Sequence, residues 1–402
     1  MRKVPRGFVA LVVVAVLFGL AAAAAGGVAT DTQSQSTIAT DRNSTNYLSP
    51  TAPTGEGYER VTMDASTATA VAAQEIHNAH ATGTFERRLQ SVNEDERSAV
   101  AQAQLDAVRD RFERLDRRQT ELFETYSAGE TSTQALLREL IALRATVDAQ
   151  SELLTRAASE ANPSTASRVE LETLEDALSV NQPVIERLQG TLVGDGEPET
   201  AYLQRADGAL VLALVDGGEY YRQATLLTER DLDGTDQFGD DLSPGGYSQA
   251  QQRMEALYPW AYNLPSLRIG GDDLSVYSRI YQLGLAHPHG ELTVYFDGAT
   301  RNVFHETQQL RLDALPIERT VVNSTAAGAV TVETTRSTGA MRVTVEDPDG
   351  FAVEGPVRVD GQRVGGTDEE GRLWTVQPAA DFELAVTMPD GGNVTVDWPP
   401  ES

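Results

Sequence analysis

Three of the chain's five histidines fall within one short stretch, "HPHGELTVYFDGATRNVFHE", residues 287–306. His287, His289 and His305, beside several acidic residues, are the types from which a metal-dependent hydrolase is built. Neutral imidazoles bind a transition metal at about 2.0–2.2 Å, and a carboxylate serves as ligand or base. That chemistry requires the ligands to converge on one ion.

The spacing opposes convergence. Strand-like residues on either side of Asp297–Arg301 read as a hairpin that pairs Phe296 with Asn302 and Val294 with Phe304. This register puts Leu292, Val294, Phe296 and Phe304 on one face, as burial requires, and sets His305 opposite Thr293. His289 is then four residues from Thr293 along its strand, about 13 Å at ~3.3 Å per residue. Only a sharp bend at Pro288 would reunite the histidines.

Other candidate chemistry is thinner. "EIHNAH" puts His77 and His80 three apart with Glu75 nearby, but no matching pair stands on another helix to complete a bundle metal site. "DLDGTDQFGDD" offers Asp231, Asp233 and Asp236 for calcium. An EF-hand order wants a ligand where Thr235 stands and glycine at 236. The chain has no Gly-x-Ser-x-Gly elbow, phosphate loop, dinucleotide fingerprint or His-Glu-x-x-His. With no cysteine at all, thiolate sites and disulfides are excluded. No catalytic residue, cofactor or metal ligand is assigned, and the chain reads as non-enzymatic.

Charge and the N-terminus say more. Acidic residues outnumber basic ones 60 to 32, a formal charge of −28, and Lys3 is the only lysine. The acidic residues are spread along the chain, which favours a surface solvated for concentrated salt, where screening reaches only ~3 Å at 1 M. Nucleic acid is not an expected partner, because phosphate contacts need basic clusters. "MRKVPRG" followed by an uncharged run to Thr30 reads as a signal peptide, or as an N-terminal transmembrane anchor if it is not cleaved. Either way the remainder is expected to be exported, on the extracellular face of the cell membrane or secreted. Asn43, Asn323 and Asn393 begin Asn-x-Ser/Thr sequons and are candidate N-glycosylation sites in segments read as linker or turn.

These features sit on a multi-domain α + β chain. After the leader at residues 1–29, residues 30–60 are Thr/Ser-rich and read as a disordered stalk. Residues 61–193 form a helical, coiled-coil-like domain. One seam runs Leu105, Val108, Phe112, Leu115, Gln119, Leu122, Tyr126. The other runs Leu136, Leu140, Leu143, Val147, Gln150, Leu154, Ala157. Steps averaging 3.5 residues, joined by a short break, give an antiparallel hairpin. Asn93 with Glu96 has capping-box spacing, hydroxyls at 131–133 cap the next helix, and Pro183 should kink or split a later one. Residues 200–318 read as a small α+β domain, with strands on either side of Asp216-Gly-Gly and a helix from near Ser248 to Pro259. Residues 326–399 alternate valine with polar residues between Asp/Gly turns, the pattern of an all-β immunoglobulin/fibronectin-like sandwich.

Three resemblances add to this reading. "VTVEDPDGFAVEGPVRVDGQRVGGTDEEGRLW" resembles carboxypeptidase-regulatory-like, or fibronectin type III-like, modules through Gly355, Pro356, Val357, Val359, Thr367, Asp368 and Gly371. That implies an accessory sandwich without catalytic residues. "LTVYFDGATRNVF" resembles the hairpin of PepSY-type modules, with Arg301 where that pattern has glycine. The whole arrangement resembles a family of haloarchaeal exported or membrane-anchored envelope proteins, which implies location and architecture. The function expected is a non-enzymatic envelope protein of a halophile, presenting helical and sandwich modules to a protein partner or a surface layer. The alternatives are a metal-dependent hydrolase using His287, His289 and His305, and an inhibitory or chaperone-like module for secreted peptidases.

Overall fold

The computed structural model describes residues 38–39, 46–239, 245–264, 268–270, 278–389 and 391–398. The expected leader at 1–29 and the sequon residue Asn43 lie outside them. Among the described residues no helix is long and apolar enough to cross a membrane.

Short strands β1 (Ile38–Ala39) and β2 (Tyr47–Leu48) pair antiparallel, and β3 (Pro53–Val61) follows. This corrects the expected stalk, residues 30–60, over its described part from residue 46. Tyr47 and Leu48 are buried core residues, and β3 is a full strand of the central sheet. The composition of 53–61 misled because an edge strand needs little apolar surface when its backbone is paired.

Helices α1 (Ala65–Ser91), α2 (Glu94–Ser127) and α3 (Thr133–Ala161) come next. The caps agree with the sequence: Asn93 accepts from the Glu96 N–H, and Ser132 accepts from the Ala135 N–H. The heptad seams are the buried stripes of α2 and α3, and Gln119 lies buried among them. Pro183 does split the last helix, into α4 (Thr165–Leu178) and α5 (Pro183–Val193). At the base of the bundle the Asp64 N–H donates to the Leu192 carbonyl at 2.9 Å, which brings its first and last residues together.

The chain then builds β4 (Glu199–Ala206), β5 (Ala209–Asp216) and β6 (Glu219–Leu226). Helices α6 (Gly245–Leu257) and α7 (Pro259–Tyr262) follow. Strands β7 (Arg268–Gly270), β8 (Ile280–His287), β9 (Gly290–Asp297) and β10 (Val303–Arg311) complete an antiparallel sheet. Its order is β3-β4-β5-β6-β10-β9-β8-β7. Helices of the bundle pack Val184, Ile185 and Leu188 on one face, against Leu210, Leu212 and Leu214. On the other face α6 and α7 pack Met254, Tyr258 and Ala261 against Val211, Ala224 and Val294. Covered on both sides, β5 reads "ALVLALVD", a near-continuous apolar run.

The expected hairpin register is corrected. Val303 pairs with Phe296 and His305 with Tyr295, with a β-bulge between them. The extra residue is Phe304, which turns away from Phe296 and joins Tyr295, Ile280 and Val180 on the bundle face. Arg301, at φ 58, supplies the left-handed turn residue for which a glycine is usual. At the other end Gly290 sits at φ 147 so near β10 that a Cβ would lie 2.1 Å from the Gln309 carbonyl oxygen.

The C-terminal region is a sandwich of two four-stranded sheets. One contains β11 (Arg319–Thr325), β12 (Gly328–Thr334), β13 (Ala340–Glu346) and β16 (Arg372–Val376), in that order. The other, ordered β15-β14-β17-β18, contains β14 (Pro356–Val359), β15 (Gln362–Gly366), β17 (Phe382–Thr387) and β18 (Asn393–Trp398). The sandwich thus begins one strand earlier than residue 326. Its core is valine-rich, closed by Met341, Phe382 and Trp398.

Candidate functional site

The charged residues with the most demanding environment were not among those the sequence singled out. They lie on β6 and β10, the two middle strands of the eight-stranded sheet, on the face shared by α6–α7 and the sandwich. Arg222 and Glu306 are both 0% exposed and 3.1 Å apart. Such charges are held in a protein interior by partners for their lone pairs and protons, and here Arg222 Nε is the one group of the pair without a partner among the described residues.

Glu306 is fully used. One oxygen accepts from Arg222 Nη1 and from Gln308 Nε2 at 2.9 Å. The other accepts the Leu48 N–H and the Tyr258 hydroxyl, each at 2.7 Å. Arg222 Nη2 donates to the Leu48 carbonyl at 2.6 Å. The ion pair therefore grips both main-chain groups of one residue, as a neighbouring strand would. Burial, with the Glu306 charge beside it, pushes the Tyr258 hydroxyl well above its ordinary range, so it stays a donor.

The junction reaches the sandwich as well. Arg336, on the turn between β12 and β13, donates to Gln308 Oε1 at 2.7 Å, and Gln308 donates to the Asn46 carbonyl at 3.1 Å. The Tyr47 ring packs against both the Arg336 and the Arg222 guanidinium groups, 4.3 and 5.1 Å from its centroid. Tyr220 on β6 donates its hydroxyl to the Thr338 carbonyl. Residues 46–48, the sheet, α6–α7 and the sandwich thus meet at one desolvated polar centre. Its chemistry is mechanical. Nothing in it presents a nucleophile or base to solvent.

A second joint lies nearer the edge. Glu56 on β3 accepts the N–H groups of Ala379 and Ala380 at 3.0 Å each and takes the Tyr202 hydroxyl. The Tyr58 N–H donates to Gln362 at 3.0 Å, and its hydroxyl reaches the Val376 carbonyl.

His305 is placed apart from His287 and His289. His287 pairs with Gly290, and Gly290 with Leu310, so His287 lines up five residues from His305 along β10, about 17 Å. His305 is fully buried on the bundle face between the Thr225 hydroxyl at Nδ1 and the Asn181 carbonyl at Nε2, both 2.8 Å. A carbonyl can only accept, so Nε2 carries the proton and Nδ1 accepts from Thr225. Burial pushes this imidazole down to about 4. His287 and His289 lie together beside the Trp260 ring, 6.1 and 5.1 Å from it and 6.0 Å from each other. Burial, with His289 beside it, also holds His287 down to about 4. Among the described residues no three His, Asp or Glu side chains are grouped to hold a metal ion.

His305 belongs to a structural set that joins bundle to sheet. Gln223 on β6 accepts from the Val184 and Ile185 N–H groups at 3.1 and 3.3 Å, capping α5 from outside where its own N-cap, Gln182, makes no side-chain bond. The Tyr295 hydroxyl accepts the Asn181 N–H at 3.0 Å. The acidic loop is likewise self-satisfied: Asp231 accepts from the Asp233 and Gly234 N–H groups, and Asp236 from Phe238 N–H and the Tyr281 hydroxyl. His77 and His80 stand exposed on α1.

Of the sequons, Asn323 and Asn393 fall on strands, not in linkers or turns. Each strand is the outermost of its sheet.

Comparison with known families divides the chain in three. Residues 1–197 match a domain of unknown function (DUF7096), residues 201–316 match a family of unknown function (DUF7094), and residues 319–396 match the archaeal fibronectin-III type-like domain. No curated protein matches the chain. The matched regions are not separate bodies, since β3 from the first completes the sheet of the second, and Arg336 of the third enters its centre.

Proposed function

We propose that the protein is a non-enzymatic, exported cell-envelope component of a halophile, presenting its helical bundle and sandwich to a protein partner or surface layer. The observation that carries this reading is the grip on Leu48 by Arg222 and Glu306. Residues 46–48, downstream of the expected leader, are built into the centre of the fold and held there by a buried ion pair. The −28 charge, carried with a single lysine, suits a surface kept soluble in concentrated salt.

Trypsin applied to intact cells tests the location. The expected result is loss of the chain while a cytosolic marker survives; protection of the whole chain until lysis would remove the proposal. Crosslinking with mass spectrometry on intact cells in high salt then identifies what the bundle and sandwich touch.

A further inference from the structure

The two sequons of the sandwich meet at its seam, and their carboxamides differ. Asn323 sits within β11, opposite Val330, and its side-chain Nδ2 donates to the Thr395 carbonyl of β18 at 2.6 Å. Thr395 is itself the hydroxyl residue of the other sequon, Asn393-Val394-Thr395. Asn323 therefore stitches the outer strand of one sheet to the outer strand of the other. Asn393 is the first residue of β18, just after a turn in which the Met388 N–H donates to the Gly392 carbonyl at 2.7 Å. It is exposed, as is Thr395, while Val394 and Val396 between and beyond them point inward. Among the described residues the Asn393 carboxamide makes no hydrogen bond.

A sequon serves as an acceptor when its carboxamide nitrogen and the hydroxyl two residues on both face solvent, because the attached saccharide is bulky and hydrated. Asn393 meets both conditions. Asn323 has an exposed Thr325 but a committed nitrogen. We propose that Asn393 is the saccharide acceptor of the sandwich and that Asn323 is a structural residue closing the seam. This deepens the export reading and rests on it. The donor is a saccharide linked through phosphate to a lipid carrier. Asn393 Nδ2 forms a bond to the anomeric carbon and loses one proton, the carbon–oxygen bond to phosphate breaks, and the lipid phosphate leaves. A saccharide there stands beside β11 and β18, the outer strands of the two sheets, where an edge is otherwise a template for pairing with another chain.

Glycopeptide mass spectrometry on the full chain from its own cells tests this, with surface proteolysis run on the same culture. The Asn393 peptide is expected to carry the saccharide mass, and Asn393→Gln or Thr395→Ala to lose it, while the Asn323 peptide is unmodified. Asn323→Asp is expected to lower the melting temperature of the full chain by about 2 °C without changing occupancy at Asn393. A saccharide on Asn323, or a bare Asn393 on protein that surface proteolysis reaches, overturns the assignment alone. An unmodified chain sheltered inside the cell overturns the export reading with it.

Discussion

The main-chain N–H of Leu48 donates to the carboxylate of Glu306 at 2.7 Å, across 258 residues of sequence. Removing that carboxylate leaves Arg222 buried without its counter-charge. Glu306→Ala is expected to destabilise the protein by about 3–5 kcal/mol, read from urea unfolding in high salt. The pair Arg222→Met, Glu306→Leu should recover part of this, because two apolar groups leave no orphaned charge. A single-variant loss below about 1 kcal/mol would show that the centre is solvated.

Strand β3 pairs with β4 through Val61↔Glu199 to Pro53↔Ala206, although family matching divides the chain between them. A fragment of residues 198–402 lacks both β3 and Leu48. It should melt lower than the sheet and sandwich do in the whole protein, and a peptide of residues 46–62 added in trans should raise its melting temperature in a concentration-dependent way. An unresponsive fragment would mean that neither segment contributes to the sheet.

His305 gives the acid limb a definite sign. Its folded value near 4 lies below the ordinary 6.5. The stabilisation is therefore present above pH 6.5 and is lost as pH falls toward 4, by up to about 3 kcal/mol. His305→Gln, which keeps one donor and one acceptor, should lose less stability than the parent over that window. Asp176 acts oppositely, since burial raises it to about 7 and its contribution declines as pH rises from 4 to 7. Asp176→Asn should accordingly steepen the fall in stability on acidification. Parallel pH profiles for parent and His305→Gln would contradict the assignment.

The net charge of −28 makes a further demand. Raising KCl from 0.1 to about 2 M should raise the melting temperature, by screening self-repulsion that acts over ~10 Å at the lower salt. A flat or falling dependence would contradict a surface solvated for concentrated salt.

Much of the fold is legible in the sequence where the signal is local. The heptad seams of α2 and α3, the Asn93 cap, the split at Pro183 and the Asp216-Gly-Gly hairpin are all set by neighbours within a few residues. The sandwich is legible for the same reason. Strand β3 is not, because "PTGEGYERV" buries only Val61 fully and its partner stands beyond the whole bundle. The Phe304 bulge flips one side chain between faces, which alternation alone does not foresee. The central junction was hidden more deeply, since Leu48 contributes main-chain groups that leave no mark in residue type. One signal did exist. "EYYRQATL" and "VFHETQQLR" carry polar residues at both parities of a strand, and such strands are either solvated edges or, as here, central ones with a polar interior.

The Asp64–Leu192 bond at the foot of the bundle also sets a timetable for the nascent chain. β3 leaves the ribosome well before β4, with every helix of the bundle made in between, and no nearby strand is available to it in the meantime. Folding of the helices is what delivers the two strands to each other. The bundle thus closes the outer edge of the sheet, and a defect in α1 or α5 should be felt as an unpaired β3.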